Sequence, residues 1–308
     1  MAETTESTND RGSQAACGCG VTAFAPRMVY PLGRLGCELA NETRRYSFLQ
    51  KISAGAAKAA SPKDLSRKDL AHYLKTNDWA AEAVEWTLER DGIPIYIIRP
   101  TGPFAARIYA ELVTILQGQL GIDPSGKQLG ETEWTEWVAV PGRVAGSMDR
   151  TQSASLPVLE PDLRGLCSWT TKTLLDAFDK RLTKEQPNQK LHGRWKDVFG
   201  EFLERVYHGM RNLGLTPHDR AINHAATDTY QAGQAIAQAL EKWPSAELER
   251  VQVRPCEVSH PHSACYDVEL HFTNGSTKSP TLRRVYRYMV DVGDVVPVTL
   301  GSVQSWSA

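Results

Sequence analysis

Apolar positions in this chain change period, and the change marks the elements. Val198, Phe199, Phe202, Leu203, Val206, Met210 and Leu213 recur at three- and four-residue spacing, so a helix over residues 195–213 has one apolar face. Gly214 follows as a left-handed C-cap. Thr216 as N-cap and Pro217 at the first helical position restart the chain. A second helix is predicted to run to about Trp243, burying Ala221, Ile222, Ala225, Thr229, Ala232, Ile236 and Leu240. Its alanines suit a close helix–helix approach. Beyond Pro244 the period falls to two. Val268, Leu270 and Phe272, then Val285 and Met289, alternate with polar neighbours as a one-sided antiparallel sheet requires. Four strands are predicted, over 248–258, 265–272, 283–292 and 296–306, with Asn274-Gly275 beginning one turn.

Upstream, residues 1–24 are low in apolar content and rich in Ser, Thr, Gly and Gln, the composition of a disordered tail. A helix is predicted over 64–75. Asn77 is expected to cap another, with Trp79, Ala83, Val84, Trp86 and Leu88 along it and Asp91-Gly92 as its stop. Residues 93–98 read as a strand, with Pro94 confined to its start or to a sheet edge. Pro103 opens a helix to about Leu120, with Ile108, Leu112, Ile115 and Leu116 on one face. Strands over 134–144 and 156–160 and a short helix to Leu182 come next. The polar stretch 183–193, containing Pro187, is the candidate internal boundary. The expectation is an α+β fold: a helix hairpin and further helices packed on antiparallel sheet, ending in a C-terminal β-meander. Its parts are a tail at 1–24, an N-terminal α+β part at 25–186, and the hairpin with its sheet at 187–308. A single compact domain over 25–308 is the alternative division.

Charge and composition narrow the function classes. The 308 residues hold 35 Lys and Arg against 36 Asp and Glu, a net charge of -1. That balance argues against a nucleic-acid footprint or a polybasic membrane surface. No apolar run reaches the roughly 18 residues of a membrane span, and the acidic, polar start lacks the pattern of a signal peptide. A cytoplasmic protein is expected. Six cysteines, at 17, 19, 37, 167, 256 and 265, then read as thiols or metal ligands rather than a disulfide framework. No phosphate-binding loop or dinucleotide fingerprint occurs.

Three groups carry candidate chemistry. Cys256, His260, His262 and Cys265 place four zinc-type ligands within ten residues, in a loop between two strands. Cys17 and Cys19 are further ligands that the tail would bring in. The alternatives are a polar loop or a facing Cys pair at the ends of a hairpin. On the second helix Arg220, Asn223 and Thr227 fall within about 60° of one another, opposite the apolar face. They form either a peptide-binding face or a set of hydrogen bonds onto the rest of the domain. Arg205, Arg211 and Asn212 either tie the helices together near Gly214 or bind a carboxylate. His208, beside Glu204 and Arg211, reads as part of a solvated face. Cys37 and Cys167, set among leucines and Trp169, read as small buried hydrophobes, because no sequence-local His activates them.

Residues 205–232 resemble the C-terminal domain of cyanobactin maturation proteases of the PatA/PatG kind. So do Tyr30-Pro31-Leu32-Gly33-Arg34-Leu35-Gly36, Asp91-Gly92-Ile93-Pro94-Ile95-Tyr96, Pro100-Thr101-Gly102-Pro103-Phe104-Ala105, Pro141-Gly142-Arg143, Arg164-Gly165, Arg283-Arg284-Val285-Tyr286-Arg287 and Ser305-Trp306-Ser307, in that order. The resemblance spans roughly residues 28–307. There are departures: Cys37 and Cys167 stand where the family has aromatic residues, and the loop from Cys256 to Cys265 is longer and richer in His. No subtilisin-type Asp, His and Ser motifs occur, so proteolysis does not carry over. The resemblance implies a stand-alone, non-proteolytic accessory protein of ribosomal peptide maturation, without an assigned activity. It would bind precursor peptide or a partner enzyme, and a homodimer is compatible with it. A peptide-modifying enzyme acting on a ribosomal precursor peptide is the alternative.

Overall fold

Two sheets organise the chain. The computed structural model describes residues 27–39, 41–55, 66–122, 127–130, 133–151, 154–185, 193–209, 212–257, 264–275 and 282–308. The expected tail and most of the expected linker lie outside these residues. The first sheet comprises β1 (Arg27–Val29), β2 (Leu32–Glu38), β3 (Glu85–Arg90), β4 (Ile93–Ile98), β5 (Trp137–Ala139), β6 (Gly142–Thr151), β7 (Ala154–Pro161) and β8 (Cys167–Trp169). Its order is β1-β6-β7-β4-β3-β2-β5-β8, and only the β4–β7 pair is parallel. The second comprises β9 (Ala246–Pro255), β10 (Cys265–Asn274), β11 (Arg283–Asp291) and β12 (Val298–Ser307), in the order β12-β11-β10-β9. The meander and the α+β class are as expected, but in β11 the core face is carried by Tyr286, Tyr288 and Val290, while Val285 and Met289 stand opposite His271 and Asp267 on the other face.

Helices α1 (Glu42–Gly55), α2 (Arg67–Thr76) and α3 (Ala105–Leu120) belong to the first part. Helices α4 (Thr171–Glu185), α5 (Trp195–Glu204), α6 (Pro217–Ala225) and α7 (Tyr230–Lys242) belong to the second. One core joins Leu70 and Leu74 of α2 and Ile108, Leu112 and Leu116 of α3 to Trp86, Leu88 and Tyr96 of the sheet. The other joins Phe199, Phe202, Ile222, Ile236 and Leu240 to Val268, Leu270, Phe272 and Tyr288. Each such side chain contributes roughly 1.5–3 kcal/mol on burial.

Four expected elements differ. The strand expected over 134–144 is two, β5 and the start of β6, parted at Val140 and Pro141. The helix expected from Asn77 is a 3-10 turn, Asp78–Ala83, followed by strand β3. Trp86 and Leu88 are two apart and both buried, the period of a strand. Asp91 and Gly92 have φ of 51° and 76°, the paired positive values of a tight hairpin turn into β4. Pro94 sits at a register shift between Leu88 and Glu89, where a missing N–H is tolerated.

The first hairpin helix ends early. After α5 comes one π-helical turn, Arg205–Gly209, and Leu213 is exposed instead of lying on the buried face. Met210 lies outside the described residues.

The second hairpin helix is two helices, α6 and α7. At the break Thr227 Oγ1 donates to the His224 carbonyl at 2.9 Å, and the Asp228 N–H donates to the same oxygen at 2.8 Å. Asp228 in turn accepts from Thr299 Oγ1 of β12 at 3.1 Å. Short polar side chains that bond locally compete with helix continuation, and a docked strand fixes the outcome here.

Candidate functional site

The hairpin residues come together as a joint between the two parts of the chain. Asn223 is fully buried. Its amide donates to the Tyr30 carbonyl at 2.7 Å and to Asn212 Oδ1 at 3.2 Å, and its Oδ1 accepts from Asn212 Nδ2 at 2.7 Å. Asn212 Oδ1 also accepts the Gly214 N–H at 2.9 Å, and the Gly214 carbonyl accepts the Tyr30 N–H at 3.0 Å. Arg90, at the end of β3, donates to the carbonyls of Asn212, Val206 and Tyr207. Tyr96 Oη donates to the Leu213 carbonyl at 2.8 Å. The first sheet therefore supplies donors to carbonyls that the irregular end of α5 leaves unmatched.

The wheel placed Arg220, Asn223 and Thr227 opposite an apolar face. In the structure Arg220 and Asn223 are buried, Thr227 is half-buried, and all three bond to other elements. Arg220 donates to the Asp294 carbonyl in the β11–β12 loop. Thr227 Oγ1 lies 3.0 Å from Tyr30 Oη. Arg205 ties its helix to β9 rather than to α6, donating to the carbonyls of Glu249 at 2.7 Å and Leu248 at 2.6 Å. Arg211 lies outside the described residues. His208 is exposed and 3.1 Å from Asp91.

Cys256 and Cys265 face each other across the start of the β9–β10 pair, with the Cys256 N–H donating to the Cys265 carbonyl at 3.0 Å. His260, His262, Cys17 and Cys19 lie outside the described residues, so the proposed ligand set is not assembled among those described. Among them no group of three or more His, Cys, Asp or Glu is placed to hold a metal. Cys37 is buried, and burial pushes its thiol up to about 11. Cys167, expected to be buried, is exposed at the sheet edge, because β8 is a three-residue terminal strand.

His224 was not singled out by the sequence, where it reads as one polar residue of an amphipathic helix. It is buried beneath β12 with Nε2 3.2 Å from Thr299 Oγ1, and its ring meets that of Tyr30 edge-on at 5.8 Å. Burial lowers its pKa from 6.5 to about 4, against an opposing pull from Asp228. The folded protein thus keeps His224 neutral where the unfolded chain, titrating near ~6.5, takes up a proton. Stability is expected to fall as pH drops from about 6.5 to about 4. His224→Gln should flatten that slope. Urea midpoints at pH 7, 5.5 and 4.5 for both proteins check this, and parallel losses would sink the assignment.

A candidate binding site is a cavity of about 670 Å3 beside this joint. Thr101, Phe104, Arg107 and Ile108 come from the start of α3, Gly142 and Arg143 from β6, and Glu160 and Pro161 from β7. Asp162, Leu163 and Arg164 come from the turn after β7, and Val295 from the β11–β12 loop. Arg164 Nη2 donates to Asp162 Oδ2 at 2.8 Å, and Nη1 lies 3.5 Å from Asp294 Oδ2. That bond from Arg164 holds the Asp162 carboxyl below the usual range. Arg220, through the Asp294 carbonyl, anchors the loop that supplies Val295. A residue first considered as a binder thus positions one wall of the cavity.

Phe104, Arg143 and Arg164 lie in the sequence blocks that carry the resemblance. Nothing in their spacing joins them, since only the fold brings α3, β6 and the turn after β7 together.

The family described as PatG Domain matches residues 28–142, and the family described as PatG C-terminal matches residues 189–306. The cavity draws on both matched segments and on the stretch between them. A solved structure titled "PatG Domain of Unknown Function" is 31% identical with a TM-score of 0.73, covering 92% of this chain and 100% of that one. No curated protein matches. With that identity maintained across the full length of the solved domain, this chain belongs to the PatG family of domains of unknown function.

Proposed function

We propose that this protein is a non-proteolytic accessory factor of cyanobactin-type peptide maturation that binds a precursor peptide or a partner enzyme through the cavity at the start of α3. The observation that carries the reading is the cavity itself. Its volume of about 670 Å3 accommodates a short peptide segment. Phe104, Ile108, Leu163 and Val295 offer an apolar lining, and arginines stand at its rim. The PatG relationship supports the pathway, while the binding role rests on the site's own chemistry. No helix among the described residues is long and apolar enough to cross a membrane, which is consistent with a peptide ligand met in water.

The test titrates the cognate precursor into purified protein by calorimetry and records the intact mass of the peptide afterwards. Saturable binding with unchanged mass is the expected result. A reproducible mass change would instead make the protein a peptide-modifying enzyme. No heat and no mass change up to millimolar precursor would overturn the precursor-binding arm. Capture of a purified maturation enzyme from the same gene cluster would then have to carry the proposal.

A further inference from the structure

We infer that the cavity selects a carboxylate attached to an otherwise apolar peptide segment, with Arg107 and Arg143 as the recognising groups. The inference rests on the peptide-binding reading above and specifies its chemistry. Three guanidinium groups line the cavity, but they are not equivalent. Arg164 is already engaged by Asp162 and Asp294. Arg107 and Arg143 are exposed and form no ion pair among the described residues. Arg143 stands directly across from Glu160 in the β6–β7 register, yet the two do not form an ion pair. Arg143 acts on the Asp162 carboxyl only at a distance, without a salt bridge to it, so its guanidinium donors are not engaged by either acid of the lining.

The surroundings favour the same ligand. Phe104 is 61% exposed and lines the cavity, so its ring is open to contact with an apolar ligand group. Leu163 and Ile108 continue that apolar surface inward. The acidic residues of the lining are Glu160, which makes no ion pair with Arg143, and Asp162, which is held mainly by Arg164, and the first turn of α3 adds none. Planar guanidinium groups match carboxylates in bidentate geometry, whereas a backbone amide offers them a single carbonyl oxygen. A peptide bearing a carboxylate next to a bulky apolar residue would satisfy both halves of the site. Either a free C-terminus or an Asp or Glu side chain supplies that group.

Three unlabelled probes separate these cases by calorimetry at low salt: acetyl-Ala-Val-Phe-Ala-Phe as the free acid, the same peptide as its C-terminal amide, and an amidated version with Glu in place of the second Ala. The free acid should bind at least tenfold more tightly than the amide. The Glu amide ranking with the acid would assign the site to carboxylates generally, and ranking with the amide would assign it to chain termini. In Arg107→Gln/Arg143→Gln the advantage of the carboxylate over the amide should vanish. Both side chains are exposed, so the fold should survive, and the acid–amide comparison on the unmodified protein needs no variant. Equal affinity for acid and amide, or an acid advantage undiminished in the double variant, overturns the inference. If the precursor binds the double variant as well as the wild type, the carboxylate rule fails and the peptide-binding reading stands. If the acid probe binds tightly but the precursor does not, the reading fails and the pocket stands.

Discussion

Replacing Asn223 with leucine is expected to lower the unfolding free energy by about 3–5 kcal/mol, since three hydrogen bonds are lost and their partners stay buried. Asn223 is 0% exposed, so water cannot replace the missing amide. The Tyr30 carbonyl would lose its side-chain donor, and the Asn212 amide would lose both its acceptor and one donor. Orphaned buried polar groups cost roughly 1–3 kcal/mol each, so the sum is large even with partial relaxation. Thr227→Val is the matched control. It removes the bonds to Tyr30 Oη and to the His224 carbonyl from a half-buried position and should cost about 1–2 kcal/mol. Chemical denaturation of the three proteins distinguishes them. A loss below about 1 kcal/mol at Asn223 would mean that this amide is not what joins the two parts. Its identity would then have to be explained by a ligand.

The local parts of this arrangement were legible in the sequence because their causes are local. Thr216 does cap α6: its Oγ1 accepts the Asp219 N–H at 3.0 Å, and Asp219 returns the bond to the Thr216 N–H. Strand β10 followed from alternation because Val268, Leu270 and Phe272 face the helices with polar residues between them, whereas in β11 the aromatic residues Tyr286 and Tyr288, not Val285 and Met289, take the core face. Errors arose where two periods fit the same letters. Trp79, Ala83, Val84, Trp86 and Leu88 fit a helix by spacing, but Trp86 and Leu88 alone fit a strand. The Asp91-Gly92 pair, read as a helix stop, is equally a hairpin turn. The break between α6 and α7 was not legible, because Thr299, some seventy residues downstream, helps to hold it. The polar face of α6 was legible as polar, with hydrogen bonds onto the rest of the domain as one of its two readings, but the partner elements were not legible. A helical wheel shows which residues share a face and cannot show that the β1–β2 link and the β11–β12 loop cover it. The cavity was illegible for the same reason, since its walls come from five segments.

Gly214→Ala is expected to cost about 3–4 kcal/mol, although it adds a single methyl group. Its φ is +70°, a conformation in which an L-residue is strained by roughly 1–2 kcal/mol. Strain is the smaller part. A Cβ at this position would lie 2.5 Å from both the carbonyl carbon and the oxygen of Tyr30. That neighbour is backbone, so it cannot rotate away. Either the 214 segment or the β1–β2 link must move, and movement stretches the Tyr30 N–H to Gly214 carbonyl bond and the Asn223 contact with the Tyr30 carbonyl. Gly92 separates the two contributions: its φ is +76°, and a Cβ there meets nothing within 4 Å. Gly92→Ala should therefore show the conformational strain alone, about 1–2 kcal/mol. Unfolding both variants in urea at one pH gives the comparison. Equal losses would show that the close approach at Tyr30 yields readily. A much larger loss at Gly214 would make this glycine a point where the two parts of the chain are held backbone to backbone, with Asn223 completing the contact.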